Sequence, residues 1–260
     1  MERHPAGPGE ATHSLPDATR RRGGHHGTVP DDDPSPRSAD PTATSADHDL
    51  LTAGATVVLL GDSITDAGRT VWGRPAQDDD LGAGYVRIVA SLHGARFPER
   101  AVRFVNRGVS GDRTRELEVR WSEDCLALAP DVVSVLVGVN DTWRAFDAAD
   151  PTPVEEFAQR YRRLLTTTLD ATGAALVLGE PFVVPVSDEV VTWRRDLDPK
   201  IEVVRALAAE LDARLVPYDQ VFAEACEVAP PAHWAPDGVH PSPAGHGLMA
   251  LAWLEAVGAV

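Results

Sequence analysis

From residue 55 onward, short apolar runs alternate with longer stretches in which apolar residues recur at helical spacing. The first run, Thr56 to Leu60, is rich in β-branched residues and stops at Gly61-Asp62, which is typical of a buried strand. Four later runs have the same character. The pattern therefore predicts strands over 56–60, 101–106, 131–138, 174–179 and 214–218.

The stretches between these strands predict amphipathic helices, because apolar residues three and four positions apart share one helix face. One helix ends before Pro130 and another at Gly173, whereas the last begins at Ser242-Pro243, a capping serine followed by a first-turn proline. The four apolar faces comprise Tyr85, Ile88, Val89 and Leu92; Leu117, Trp121 and Leu128; Phe157, Tyr161, Leu164, Leu165 and Leu169; and Ile201, Val204, Leu207, Ala208 and Leu211.

Strands that alternate with helices predict an α/β fold, in which a parallel sheet is covered on both faces. In such sheets the functional site forms beyond the carboxyl ends of the strands. We therefore expect the chemistry directly after Leu60, Asn106, Gly138, Gly179 and Tyr218.

The first fifty residues differ in composition from the rest. After Met1 they contain only Leu15, Val29 and Leu50 as large aliphatic residues, together with seven prolines and no aromatic residue. Such a segment buries too little apolar surface to offset the entropy lost on ordering. We predict a disordered tail over 1–50 and one domain over 51–260, whose length of about 210 residues suits a single core.

The net charge and the lack of recognisable targeting signals exclude several classes of function and location. Asp and Glu number 40 against 24 Lys and Arg, a net charge of −16, so the chain lacks the basic footprint of a nucleic-acid or anionic-lipid partner. No apolar segment follows Arg20–Arg22, and no run approaches the roughly 18 apolar residues of a membrane span. Cys125 and Cys226 lack metal-ligand or redox spacing. We expect a cytoplasmic protein with reduced thiols and no membrane span.

Three predicted strands end in residues that suit acyl chemistry. Ser63 follows the first strand, where its hydroxyl would stand at the sheet edge, although a serine there can also be a plain helix cap. Gly108 follows the second strand, and its N–H could face a substrate oxygen. Asn140 follows the third strand; its amide could donate to an oxyanion or tie down its own turn.

A fourth motif precedes the last helix. Asp237 and His240 share one short loop bounded by proline, where the carboxylate can orient the imidazole while the other ring nitrogen faces a nucleophile. A lone histidine in such a loop is more often structural. His233 lies seven residues before His240, but no third ligand at fitting spacing accompanies them, so neither a metal nor a cofactor is expected.

Taken in order, these four motifs resemble those of the SGNH (GDSL) hydrolase superfamily, over roughly residues 55–257. The resemblance implies Ser63 as nucleophile, His240 as general base and Asp237 as its orienting carboxylate. It also implies an oxyanion hole made by the N–H groups of Ser63 and Gly108 and the side chain of Asn140. Ile64 stands where the family's name has leucine. The expected fold is a flavodoxin-like three-layer sandwich with a central, mostly five-stranded parallel sheet.

Further motifs resemble the intracellular acetylxylan esterase branch: the segments 61–69, 84–86, 120–121 and 138–144, and the tryptophan at 234. This likeness implies a serine esterase that removes small acyl groups, acetyl above all, from carbohydrates. Trp143 and Trp234 could stack on a sugar or pack in the core wall, and Asp62 could contact the substrate or only its own turn.

Two alternatives remain at this stage, a lysophospholipase or acyl-ester lipase of the same superfamily and a non-catalytic carbohydrate-binding or lipid-binding module. The expected partner is a small ester, and the sequence does not decide between a monomer and a homo-oligomer.

Overall fold

The computed structural model describes residues 50–69 and 80–259. The predicted disordered tail lies outside these residues except for Leu50, whose N–H donates to the carbonyl of Val257 at 3.3 Å. Leu50 therefore lies beside the end of the last helix.

Five parallel strands form one sheet in the order β2-β1-β3-β4-β5. This order, with the first strand between the second and third, is that of the flavodoxin-like sheets and confirms the predicted fold class. The switch in strand order lies at β1, where ligands bind in such folds. The bounds are β1 Thr56–Gly61, β2 Arg103–Gly108, β3 Val132–Leu136, β4 Ala175–Gly179 and β5 Arg214–Val216.

Helices connect and cover these strands. All the predicted helices are present. The bounds are α1 Ser63–Asp66, α2 Tyr85–Arg96, α3 Thr114–Asp124, α4 Val139–Asp147, α5 Val154–Thr172, α6 Asp188–Thr192, α7 Arg194–Glu210, α8 Tyr218–Val228, α9 Pro231–Trp234 and α10 Pro243–Ala256. Three of those that the pattern analysis missed, α1, α6 and α9, have only four or five residues, too few to show a periodicity.

The core has two halves, one on each face of the sheet. Side chains of β1 alternate between them: Val57 and Leu59 face α2, α8 and α10, whereas Val58 and Leu60 face α3, α5 and the second half of α7. All four are completely buried. Burial on both faces explains why β1 reads as a continuous apolar run in the sequence.

Several predicted strand boundaries were wrong by one or two residues: β3 ends at Leu136 and β5 at Val216, earlier than predicted, and the error in β2 affects the site. We predicted that the second strand would end at Asn106, but β2 continues through Arg107 to Gly108. Gly108 lies opposite Gly61 in the parallel register. A Cβ atom on Gly108 would lie 2.2 Å from the amide nitrogen of Asp66, so only glycine fits where β2 passes α1.

Among the described residues, no helix is long and apolar enough to cross a bilayer. Both cysteines are free; Cys125 is buried and Cys226 is half-buried.

Candidate active site

Ser63 is the first residue of α1, immediately beyond the carboxyl end of β1. The helix cap is Asp62, whose Oδ1 accepts a hydrogen bond from the N–H of Ile64 at 3.0 Å. The capping role that the sequence left open for Ser63 thus belongs to Asp62, and the Ser63 hydroxyl makes a different contact.

Ser63, His240 and Asp237 form a continuous hydrogen-bonded chain. Ser63 Oγ lies 2.9 Å from His240 Nε2, and His240 Nδ1 lies 2.7 Å from Asp237 Oδ2. The structure thus brings together residues 177 positions apart in the chain. An imidazole held between a hydroxyl and a carboxylate can accept the hydroxyl proton while the carboxylate stabilises the resulting cation.

Asp237 also shapes the loop that carries His240. Its Oδ1 accepts hydrogen bonds from the N–H groups of Val239 and His240, at 2.9 and 2.7 Å. Partial burial raises the pKa of Asp237, but the hydrogen bonds from the His240 ring and from these two N–H groups outweigh it and bring the pKa below its usual value. The carboxylate therefore stays ionised beside the imidazole.

The loop is fixed against the segment after β4. Gly238 has a φ of +87°, and its carbonyl accepts a hydrogen bond from the N–H of Val184 at 2.8 Å. A Cβ atom there would lie 2.9 Å from the Val184 carbonyl oxygen. Glycine allows both the left-handed backbone and this close approach, which hold His240 over Ser63.

Asn140 lies in the first turn of α4 and is buried. One hydrogen of its amide is donated to the carbonyl oxygen of Asp112 at 3.2 Å. A side-chain amide carries two N–H donors, so one remains for a substrate oxygen. The same contact places the Gly111–Asp112 segment beside the Asn140 side chain.

The predicted oxyanion role of Gly108 does not fit this geometry. Its N–H already donates to Asn106 Oδ1 at 2.8 Å, and its carbonyl accepts from Arg69 Nη2 at 2.7 Å. Because β2 extends to Gly108, this glycine is a strand residue whose N–H and carbonyl both have partners in the protein. Its N–H is therefore not available to a substrate oxygen, and the predicted role was wrong. Further along the same chain segment, Gly111 lies in an exposed turn with a φ of +87°.

Asp62 and Asp141 place buried carboxyl groups next to the site. Burial raises the pKa of Asp62 to about 7, against the hydrogen bond from Ile64 that lowers it. Burial likewise raises the pKa of Asp141 to about 6, although Thr114 donates to it through both its N–H and its hydroxyl. Asp62 is therefore buried and caps its helix, so a direct substrate contact stays only a prediction.

The two tryptophans that we considered for substrate contact have different positions. The half-buried ring of Trp143 lies 6.0 Å from the His240 ring and 5.2 Å from that of Trp193. In contrast, the indole N–H of Trp234 donates to the carbonyl of Ala225 in α8 at 2.9 Å. Trp143 forms a wall of the site, whereas Trp234 packs between helices.

The sequence analysis did not identify two residues, Asn106 and His246, that hydrogen-bond to the backbone of segments around the site. Asn106 holds Gly108 through its Oδ1, and its Nδ2 donates to the carbonyl of Thr65 at 2.7 Å. His246 Nδ1 accepts a hydrogen bond from the N–H of Tyr85 at 3.2 Å, and burial together with nearby His240 lowers the pKa of His246 to about 4. For Asn106, the available signal in the sequence was a polar residue inside an apolar strand.

Within the described ranges, no cluster of three or more histidine, cysteine or acidic side chains could hold a metal ion.

Comparison with known proteins places this arrangement in a family. The GDSL-like Lipase/Acylhydrolase family model matches residues 59–248, which include Ser63, Asn140, Asp237 and His240. An acetylxylan esterase from Geobacillus stearothermophilus is 36% identical over 212 residues, which is 79% of this chain and 95% of that protein.

Solved structures agree with the sequence comparison. The crystal structure of Axe2, an acetylxylan esterase from Geobacillus stearothermophilus, is 35% identical and superimposes with a TM-score of 0.73 over 80% of this chain and 96% of its own. LAE5, an alpha/beta hydrolase enzyme from the metagenome of Lake Arreo, is 32% identical with a TM-score of 0.73, over 82% of this chain and 99% of its own. The chain belongs to the GDSL-like lipase/acylhydrolase family and is a carboxylic ester hydrolase.

Proposed function

We propose that this enzyme removes acetyl groups from acetylated carbohydrates through a covalent acyl-enzyme on Ser63. The observation that carries the proposal is the unbroken hydrogen-bonded chain from Ser63 Oγ through His240 to Asp237. Such a chain activates a hydroxyl that is otherwise a weak nucleophile.

In the first step, Ser63 Oγ attacks the ester carbonyl carbon while His240 Nε2 takes the hydroxyl proton. The tetrahedral intermediate then collapses, the bond to the sugar oxygen breaks, and His240 returns the proton to that oxygen. Water, deprotonated by His240, next attacks the acetyl-enzyme, and the acetate leaves as Ser63 regains its proton. Asp237 stays ionised throughout and stabilises the imidazolium.

Three donors would stabilise the oxyanion of each tetrahedral intermediate. We assign them to the N–H of Ser63, the second amide hydrogen of Asn140 and the N–H of Gly111, which replaces Gly108 in this role. Gly111 is supported because its neighbour Asp112 accepts a hydrogen bond from the Asn140 amide, so the two donors lie on adjoining groups. Preorganised donors of this kind act at the atom where negative charge develops.

The carbohydrate substrate is supported by the relatives and by the site wall. The similar Geobacillus proteins are acetylxylan esterases, and the solved structures of Axe2 include catalytic mutants in which a serine or an aspartate is replaced by alanine. Trp143 presents a half-buried aromatic ring beside His240, and a flat apolar ring suits the face of a sugar. The acidic chain also favours a neutral substrate over a polyanion. These features disfavour the lipase alternative.

The test compares hydrolysis of p-nitrophenyl acetate by the wild type, Ser63→Ala and Asn140→Ala. Ser63→Ala should lose nearly all turnover, whereas Asn140→Ala should lose about 10²–10³ in kcat because one oxyanion donor is gone. Wild-type turnover by Ser63→Ala would overturn the mechanism. Loss of all labelling by an active-site phosphonate in Ser63→Ala would identify the nucleophile independently, and a wild type that takes no label would favour a binding module.

The substrate is tested with acetylated xylo-oligosaccharides beside acetyl, butyryl and octanoyl p-nitrophenyl esters and a lysophospholipid. We expect the acetylated sugar and the acetyl ester to be preferred. Trp143→Ala should raise KM for the oligosaccharide more than for p-nitrophenyl acetate, which presents no sugar. A preference for the octanoyl ester or the lysophospholipid would instead support a lipase.

A further inference from the structure

Arg120, on α3, bonds with one guanidinium to several chain segments at once. Its Nε donates to Asp112 Oδ2 at 2.7 Å, and its Nη2 donates to the carbonyl of Gly61 at 3.2 Å. Its Nη1 donates both to the carbonyl of Arg107 at 2.7 Å and to Asp124 Oδ2 at 2.8 Å. The Arg120 side chain is 16% exposed, so these bonds are largely shielded from water.

Two of these bonds, to Gly61 and to Asp112, lead to donors of the assigned oxyanion hole. Gly61 ends β1, two residues before Ser63. Asp112 follows Gly111 directly and accepts the amide hydrogen bond of Asn140 through its carbonyl. A shift of Asp112 would therefore move both Gly111 and Asn140, whereas a shift of Gly61 would move Ser63.

The geometry requires a guanidinium. Four acceptors that point at one side chain from different directions match the fixed fork of donors on arginine. Lysine would bring the same charge as a single compact ammonium on a flexible stem, which cannot span the same spread of acceptors. The carboxylates of Asp112 and Asp124 balance the charge.

We propose that Arg120 is a positioning residue that sets the relative placement of the three oxyanion-hole donors and touches no substrate itself. This proposal rests on the proposed function, because it assumes that Ser63, Gly111 and Asn140 stabilise an oxyanion. It predicts an effect on the transition state and little effect on substrate binding, because the oxyanion forms only during the reaction.

The test measures kcat and KM of Arg120→Lys and Asn140→Ala, singly and combined, on p-nitrophenyl acetate. Misplacement of catalytic groups by about 1 Å lowers rates by up to about 100-fold, so Arg120→Lys should lose roughly 10- to 100-fold in kcat with KM within about threefold of wild type. The combined variant should lose at least about threefold less than the product of the single losses, because part of the Arg120 effect passes through Asn140.

Arg160→Lys is the matched control. The Arg160 side chain is 14% exposed and also bonds to α3, through Glu118, but it contacts none of the oxyanion segments. It should keep wild-type kcat. Thermal unfolding of all variants shows whether a loss of activity follows a loss of folded protein, and Asp112→Asn, which weakens the same bond without shortening either side chain, replaces Arg120→Lys if that variant does not fold.

Three outcomes would overturn the proposal: a kcat for Arg120→Lys within twofold of wild type, single losses that multiply in the combined variant, or an equal loss in Arg160→Lys. None of them affects the proposed function, which stands or falls with Ser63→Ala. Conversely, a fully active Ser63→Ala would overturn the proposed function, whatever Arg120→Lys does.

Discussion

At the residue scale, Asp62 both caps α1 and places a buried carboxyl group next to Ser63. Its Oδ1 caps α1, whereas its Oδ2 is buried and has no hydrogen-bond partner among the described residues. Burial raises the pKa of Asp62 to about 7, so the folded protein keeps a proton there in weakly acidic solution. A neutral carboxyl next to Ser63 also avoids a second negative charge beside the developing oxyanion.

This proton links stability to pH. Between pH 4 and 7 the folded state holds a proton on Asp62 that the unfolded chain has released, because the folded pKa of about 7 lies above the usual aspartate value of 3.8. The contribution of Asp62 to the free energy of unfolding therefore falls as pH rises through this window, by at most about 1.4 kcal/mol per pH unit. We predict that Asp62→Asn removes this fall, because its amide oxygen can still accept from Ile64 but does not titrate.

The measurement is the melting temperature of the wild type and Asp62→Asn from pH 4 to pH 8. The Tm difference, variant minus wild type, should increase steadily up to about pH 7. Asp188→Asn, at an exposed position, is the control. Parallel curves for wild type and Asp62→Asn would show that Asp62 does not carry a raised pKa.

At the element scale, the site depends on how closely β2 approaches α1. Gly61 and Gly108 lie opposite each other at the ends of β1 and β2, and Gly108 packs against the backbone of α1 at Thr65 and Asp66. Asn106, in the same strand, holds this corner together through its bond to the Thr65 carbonyl. The helix that begins with the nucleophile is thus fixed by the neighbouring strand.

Gly108→Ala tests this close approach. The new Cβ would lie 2.2 Å from the Asp66 amide nitrogen, a backbone atom that cannot rotate away, so β2 and α1 must separate. We expect a loss of about 1–3 kcal/mol or more in the free energy of unfolding, and a lower kcat as Ser63 shifts. Gly94→Ala, in the last turn of α2 with no atom within 4 Å of its Cβ, should be neutral or stabilising by at most about 0.5–1 kcal/mol. Denaturant unfolding of both variants measures the difference, and equal stability of the two would contradict the argument.

At the scale of the whole molecule, the described chain contains every residue to which we assign a catalytic role. The hydrogen-bond partners of Ser63, Asn140 and His240 all lie within the described ranges. The net charge of −16, in contrast, is that of all 260 residues. Leu51, the second described residue, is fully buried in the core half that contains α10.

We therefore predict that deletion of residues 1–48 leaves kcat and KM on p-nitrophenyl acetate and the melting temperature unchanged. Deletion of residues 1–54 is the matched comparison: it also removes Leu51, and the loss of a buried leucine should lower stability by about 2–5 kcal/mol. A large loss of activity from the shorter deletion would assign the first 48 residues a role in the site.

The sequence alone predicted the sheet and the chemistry of the site, because both are encoded in short local patterns of residues. Apolar runs such as Thr56–Leu60 encode strands, and Ser63, Asn140, Asp237 and His240 stand beside strand ends or helix starts in a recognisable order. Hydrogen bonds join Ser63, His240 and Asp237, because the fold brings the end of β1 together with the loop before α10.

Tertiary structure decided what depends on contacts between distant segments. Gly108 reads as a loop glycine, but the register with β1 makes it a strand residue whose N–H is used by Asn106. Trp234 stands close to Asp237 in sequence, yet its indole bonds to α8. Arg120 stands in a segment that resembles the acetylxylan esterase branch, but the sequence does not show its bonds to Asp112 and Gly61. Periodicity reports which face of an element is buried, but hydrogen-bond partners are set by strand register and helix placement, and these exist only once the chain has folded.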